Sequence, residues 1–245
     1  MPFGLKKVGA TYQRLVNKMF DEQLGKTMEV YIDDMLVKYL KESMHIQHLD
    51  QYFKILNEFG MKLNPVKCTF DVPSGEFLGY IVTHRDSEAN PNQTNAFLTM
   101  PLLHNFKEVQ RLIGRIAALN RFISRSTKKC LPFYQLLKRN KQFAWSDECK
   151  EAFKQFKVYL TTPPVLSKPD TKKRLYLYIS VSQHAVSGVI VREDRGDKWL
   201  IYYISKNLTG PETHYTMMEK LALAVVVFAR KLRPYFQSHP IEVLT

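Results

Sequence analysis

The chain has no apolar run approaching the roughly 18 to 20 residues that a membrane-spanning helix needs, so no membrane partner is expected. Cysteine is scarce: Cys68, Cys130 and Cys149 are odd in number, widely spaced and form no CxxC pair. That pattern argues against a disulfide framework or a zinc site and favours a reducing, intracellular setting. The first residues, Met1-Pro2-Phe3-Gly4-Leu5-Lys6-Lys7, lack the basic-then-apolar layout of a secretory signal. Internal repeats and low-complexity tracts are missing as well.

Positive charge is plentiful but confined. The net charge is +13 over 245 residues. Residues 1–100 carry 11 Lys and Arg against 12 Asp and Glu, and residues 176–245 carry 8 against 6. Residues 101–174 carry 17 against 5, so one middle segment holds nearly all the excess. A localised surface for a polyanion explains this better than solubility charge does, and nucleic acid is the polyanion favoured; a partnerless basic linker is the other reading. Apolar content is 45%, enough to build cores for one large domain or two ordinary ones.

Apolar periodicity predicts a helix over residues 9–24, with Tyr12, Leu15, Val16, Met19 and Phe20 on its stripe and Gly25 as its stop. A second amphipathic helix carries Ile46, Leu49, Phe53 and Leu56 and closes at Gly60. Between them lies Glu29-Val30-Tyr31-Ile32-Asp33-Asp34-Met35-Leu36-Val37, a strand-forming run interrupted by two carboxylates. Val, Tyr and Ile favour a pleated strand and Asp favours turns, so a hairpin with Asp33 and Asp34 near its tip is expected. Adjacent like charges are comfortable only in water or beside a divalent cation. The pair is therefore either a solvated turn or part of a phosphoryl-transfer metal site.

Residues 61–70 and 76–83 read as strands around a Pro73-Ser74-Gly75 turn. From about residue 105 the pattern is helical and basic. Asn105 and Glu108 form a candidate capping box, and Val109, Leu112, Ile113, Ile116, Leu119 and Ile123 form an apolar stripe. Arg111, Arg115 and Arg121 fall toward the other side. Another helix spans about 148–160 with Phe153, Phe156 and Leu160, and Thr161-Thr162-Pro163-Pro164 reads as a linker. Strands are expected at 174–181, 185–192 and 198–205, with a loop over 193–197. A long helix at about 214–235 and a strand at 241–244 follow. The fold class is α+β, ending in a second α/β unit.

Taken in order, these motifs resemble the reverse transcriptase and RNase H region of gypsy-type long-terminal-repeat retrotransposons, most like plant elements. Met1-Pro2-Phe3-Gly4-Leu5-Lys6 with Ala10-Thr11-Tyr12-Gln13-Arg14 is similar to the nucleotide-pocket motif and the helix after it. Tyr31-Ile32-Asp33-Asp34 resembles the metal-binding hairpin of the polymerase palm. Leu63-Asn64-Pro65-Val66-Lys67-Cys68 and Phe77-Leu78-Gly79-Tyr80 resemble the segments leading into the primer grip. Arg111 to Ile123, Leu131-Pro132-Phe133, Phe143-Ala144-Trp145-Ser146 and Ala152-Phe153 resemble thumb and connection, and the remainder resembles an RNase-H-like domain.

The resemblance implies a palm remnant over 1–90, a basic helical thumb and connection over 91–164, and a truncated RNase-H-like domain over 165–245. It implies Mg²⁺ held by Asp33 and Asp34 as catalytic carboxylates, and a nucleotide lined by Phe3 and Gly4, where Phe3 could equally be a core aromatic. It gives Phe77, Leu78, Gly79 and Tyr80 to the primer grip, although bare sequence reads them as a buried strand. Arg111, Arg115 and Arg121 would touch the backbone of an RNA–DNA or DNA template-primer duplex, or simply form a solvated helix face. Lys67 would be a proton donor to pyrophosphate or a solvated turn lysine.

The resemblance also breaks. The family's further palm aspartate lies upstream of the nucleotide-pocket motif, so Met1 reads as an internal methionine promoted to a start or as a fragment edge. The RNase H carboxylates would fall at Ser180, at Leu221 near Glu219, and at or beyond Thr245. The expectation is an RNA-directed DNA polymerase fragment that is inactive alone and cleaves no hybrid. The alternative is a non-catalytic nucleic-acid-binding retrotransposon remnant. An exposed palm edge invites aggregation or association with a complete polymerase chain.

Overall fold

The computed structural model describes residues 8–39, 42–83, 86–138, 143–170 and 172–245. They form a mixed α+β fold in two compact units that part after Thr83.

In the first unit, α1 (Val8–Met19) packs Val16, Met19 and the following Phe20 against Met28, Tyr52 and Leu56. The helix ends before the expected position because the chain turns at once through Phe20 to Gly25, where Leu24 N–H donates to Phe20 O and Gly25 takes φ +75°. Leu15, expected on the buried stripe, is exposed. β1 (Met28–Tyr31) and β2 (Asp34–Val37) pair antiparallel from Met28↔Val37 to Tyr31↔Asp34. A 3₁₀ turn then leads into α2 (His45–Glu58). Its buried side is Tyr52 and Leu56, with Ile46 and Phe53 turned to solvent against expectation. Tyr52 closes the core with an O–H bond to Thr27 Oγ1 of 2.6 Å and an edge contact to Phe20.

The segment 61–70 is not a strand. Asn64 Oδ1 accepts Val66 N–H and caps a 3₁₀ turn at Pro65–Lys67, and Pro65 has no N–H to give a ladder. The hairpin that follows, β3 (Ser74–Phe77) with β4 (Tyr80–Thr83), turns at Leu78 and Gly79 rather than at Pro73 to Gly75. Both turn residues have positive φ, +54° and +78°, the requirement of a tight two-residue hairpin.

The second unit opens with β5 (Asp86–Ala89), and Asn90 then caps α3 (Pro91–Leu98), accepting Asn92 N–H at 2.8 Å. Helices α4 (Phe106–Ala118), α5 (Ser126–Lys129), α6 (Leu131–Lys138) and α7 (Asp147–Thr161) follow. They bury Phe97, Phe133, Phe153 and Phe156, and Trp145 stacks on Phe133 at 5.8 Å. Thr161 to Pro164 ends α7 and leads into β6 (Leu166–Ser167), which pairs with β5; that stretch lies inside the second unit.

A four-stranded sheet completes the unit. β7 (Leu175–Val181), β8 (Ala185–Asp194) and β9 (Asp197–Asn207) run antiparallel, and β10 (Ile241–Leu244) adds in parallel beside β7, giving the order β10-β7-β8-β9. The β8–β9 turn is only Arg195-Gly196, both at positive φ, so the strands run further than their alternation predicts. α8 (Met217–Lys231) covers one face with Ala224 and Phe228. Full burial of a side chain such as Phe228 stabilises the fold by about 1.5–3 kcal/mol. The helix expected over 214–235 is broken: Thr216 starts α8 with a capping box, Leu232 ends it, and Pro234 sits in the first turn of α9 (Arg233–Ser238).

The opposite face meets the segment between α4 and α6 through hydroxyls. Ser205 Oγ lies 2.6 Å from Ser126 Oγ and 2.8 Å from Thr127 Oγ1, and it accepts Thr127 N–H at 3.2 Å. Ser126 also bonds Asn120. All three hydroxyl residues are buried, so the cluster satisfies polar groups that would otherwise cost free energy.

Candidate functional site

Asp33 and Asp34 occupy the tip of the β1–β2 hairpin, both exposed, with Asp34 opposite Tyr31 in the first pair of the ladder. The turn forces Ile32 to φ +51°, a region that a β-branched residue enters only at a cost of about 1–3 kcal/mol. α1 holds it there. Gln13 accepts Ile32 N–H through Oε1 at 2.6 Å and donates through Nε2 to Val30 O at 3.2 Å. Asn17 Oδ1 takes a further bond from the Gln13 amide. Sequence reading placed Gln13 in a motif but gave it no task; nothing short of the hairpin's geometry reveals one. Burial first, and the Asp33 charge second, raise the Tyr12 phenol above its usual pKa. Tyr12 packs against the apolar cluster of the first unit.

Two adjacent carboxylates can hold one hydrated Mg²⁺ when substrate phosphates complete its shell, but they are too few for a metal pair. Among the described residues no group of three or more His, Cys, Asp or Glu is placed to hold a metal ion. Phe3 and Gly4 lie outside the described residues. Phe77, Leu78, Gly79 and Tyr80 are not a buried strand: they form the tip of the β3–β4 hairpin, where Leu78 is exposed and the others half-buried. Lys67 is exposed at the end of its 3₁₀ turn.

The arginines do not form one row. Arg111 and Arg115 lie on the exposed side of α4, opposite buried Val109, Leu112 and Ile116. They flank a recess of about 370 Å³ with Met100, Pro101 and Glu108, and Arg115 is tied to Ala96 O. Arg121 departs from this face because α4 ends at Ala118; it sits half-buried in a 3₁₀ turn with its guanidinium 5.1 Å from the Tyr202 ring centre. The capping box is only half reciprocal. Asn105 Oδ1 accepts Glu108 N–H, whereas Glu108 accepts His104 N–H at 2.7 Å and the Asn105 side-chain amide at 2.9 Å. These bonds, the His104 one foremost, lower the Glu108 pKa.

In the sheet unit Ser180 is exposed on β7 opposite Ser187, and Leu221 packs against the apolar cluster under α8. Glu219 is not a spare carboxylate. It accepts Thr216 N–H at 2.7 Å and Thr216 O–H at 3.0 Å, and these bonds lower its pKa. Beside it Lys220 is buried, 7% exposed, with Nζ 3.5 Å from Gln183 O. Helical periodicity alone gave no reason to single out that lysine.

Comparison with known proteins follows the same division. Residues 1–82 match the family model of reverse transcriptase (RNA-dependent DNA polymerase), and residues 145–243 match that of the RNase H-like domain found in reverse transcriptase. The Tf2-3 transposon polyprotein of Schizosaccharomyces pombe is 26% identical over 248 aligned residues, and the Tf2-7 polyprotein is 25% identical. Each alignment covers 100% of this chain and 19% of the polyprotein, so the chain spans about a fifth of these relatives' length. These relatives are yeast proteins, which does not bear out the plant placement. The fold is similar to foamy viral protease-reverse transcriptase in complex with RNA/DNA hybrid, at a TM-score of 0.86 and 22% identity over 99% of this chain and 33% of that one. The same viral protein in complex with dsDNA gives 0.80 at 22% identity, over 99% and 51%. The chain is thus similar to reverse transcriptase in its first 82 residues and to the RNase H-like domain over 145–243, and its fold is that of the foamy viral structures.

Proposed function

We propose that this chain is the palm, thumb and connection, and RNase-H-like portion of a gypsy-type retrotransposon reverse transcriptase, spanning 1–90, 91–164 and 165–245, and that it binds a template-primer duplex. The observation that carries the reading is the exposed Asp33-Asp34 tip, held in a costly backbone geometry by Gln13. A solvated turn has no need of such bracing, whereas a metal-binding carboxylate does. Asp33 and Asp34 would hold a divalent ion, which supplies charge stabilisation to nucleotidyl transfer when substrate phosphates share it. The β3–β4 tip, Phe77 to Tyr80, would support the primer end, and Phe3 and Gly4 the nucleotide. Arg111 and Arg115 would meet backbone phosphates, with Arg121 contributing through its position over Tyr202. A reducing intracellular compartment suits the three unpaired cysteines.

With two carboxylates, the 245-residue chain alone is expected to bind duplex without extending it. Ser180, Leu221 and the engaged Glu219 favour this second, non-catalytic reading for the sheet unit as well, with no cleavage of RNA in a hybrid. Primer extension with Mg²⁺, run beside Asp33→Asn, separates the two. Extension by wild type and not by Asp33→Asn establishes polymerase activity; equal duplex binding with no extension by either leaves the binding reading.

A further inference from the structure

α8 is apolar around its whole circumference, although the sheet needs only one side of it. From Leu221 to Ala229 it reads Leu-Ala-Leu-Ala-Val-Val-Val-Phe-Ala, without a polar side chain. The sheet takes one face: Ala224 and Phe228 are buried, and Leu221, Leu223, Val225 and Val227 pack against the same core. The opposite face carries Met218, Ala222 and Val226 at i, i+4 and i+8, all exposed, Met218 by 74% and Val226 by 48%. Valine is a poor helix former, so a turn that faces only water has no reason of its own to carry it. A helix that is apolar all round belongs in contact on both sides.

Charge at the two ends of the face selects what it meets. Glu219 and Arg230 are both exposed and lie about three helical turns apart, so they share the side that Met218, Ala222 and Val226 occupy. Neither forms an ion pair among the described residues, and both Thr216 bonds to Glu219 fall on Oε2 alone. An acid at one end and a base at the other make the face complementary to itself in one orientation. Two copies of α8 packed antiparallel about a two-fold axis bring each Glu219 toward Arg230 of the other copy, and each Ala222 beside Val226. A parallel pair would set like charges together. We infer that this face of α8 seats a second copy of the chain in an isologous, antiparallel dimer. One helix face is smaller than the about 800 Å² per partner of a standard interface, so the dimer is weak, with a dissociation constant on the order of 10–100 µM. The inference stands apart from the duplex reading, since it uses neither hairpin nor the basic helix face.

Sedimentation equilibrium of the whole chain, from about 5 to about 300 µM, reads the assembly. The expected result is a reversible monomer–dimer equilibrium. Val226→Lys alters an exposed position, and circular dichroism checks that it folds. It should weaken the dimer at least about tenfold, because two ammonium groups then meet near the axis. Arg230→Glu sets carboxylate against carboxylate twice per dimer and should weaken it about fivefold. Glu219→Gln removes the charge and keeps the capping bonds. It should weaken the wild-type dimer about twofold and strengthen the Arg230→Glu dimer about twofold, a reversal of sign that direct pairing produces. A chain that stays monomeric to about 300 µM overturns the inference and leaves the face to a different polypeptide. Wild-type dimerisation by Val226→Lys overturns it by placing the contact elsewhere. The same sign for Glu219→Gln in both backgrounds overturns it by removing the antiparallel pairing. Co-sedimentation with neutral phosphatidylcholine vesicles that Val226→Lys abolishes overturns it in favour of a lipid surface.

Discussion

Gly188→Ala is the sharpest probe of how the sheet meets its helix. Gly188 lies in β8, and a Cβ built on it would stand 2.9 Å from Phe228 Cε2, 3.1 Å from Phe228 Cδ2 and 3.2 Å from Ile204 Cγ2. Real Cβ atoms do not approach that closely, so the Phe228 ring must move, and Phe228 is completely buried. Overpacking of this kind costs about 1–3 kcal/mol. Replacing a strand glycine recovers about 0.5–1 kcal/mol of backbone entropy. The net expectation is a loss of about 0.5–2 kcal/mol, a fall in the melting temperature of the second unit of roughly 1–8 °C. Urea unfolding and differential scanning calorimetry read it directly. Adding Phe228→Leu should return part of the loss, because the two positions are in contact and their effects cannot add. A neutral or stabilising Gly188→Ala, or strict additivity with Phe228→Leu, would refute the packing described here.

Two further outcomes follow from the hairpin and the thiols. Gln13→Ala removes the acceptor of Ile32 N–H, worth about 1–1.5 kcal/mol, so protection of that amide in hydrogen exchange should drop about fivefold to tenfold; unchanged protection would mean that α1 does not brace the tip. Burial pushes the Cys130 thiol up to about 12, with Lys129 opposing, so the folded chain should alkylate at half-buried Cys68 well before Cys130 or Cys149. The unfolded thiol ionises from about pH 9 and the folded one only toward 12, so its contribution to stability is intact below pH 9 and lost as pH rises across that window. Mass spectrometry after brief iodoacetamide treatment and an alkaline stability series check both.

Helices were the legible part of the fold where a polar side chain announces their start. Asn105 caps α4 as its residue type predicts, whereas Ser146 and Thr216, which cap α7 and α8, were not singled out and those helices were placed by their apolar pattern alone. The hairpin at Asp33 was legible too, since carboxylates rarely interrupt a Val-Tyr-Ile run without a turn. The β3–β4 turn was not, because its first residue is Leu78 and leucine carries no turn propensity; the strand ladder, with Phe77 against Tyr80, imposes the geometry instead. Pro65, with no N–H for a ladder, opens a 3₁₀ turn where the apolar pattern of 61–70 suggests a strand. Ile46 and Phe53 mislead because an apolar stripe states which side of a helix could be buried, not how wide its partner is. At the site, Asp33 and Asp34 could be named from sequence, but the task of Gln13 could not: it matters only through neighbours 17 or more positions away.

The hydroxyl cluster on the far face of the sheet also constrains how this sequence can drift. Losing Ser205 alone would strand Thr127 N–H and the Thr127 hydroxyl, while Ser126 keeps Asn120, at about 1–3 kcal/mol for an unsatisfied buried group, whereas matched apolar replacement on both sides can be nearly neutral. Positions 126, 127 and 205 should therefore change together across relatives, polar with polar or apolar with apolar. A mismatched set would mark a lineage in which the helical segment has come away from the sheet.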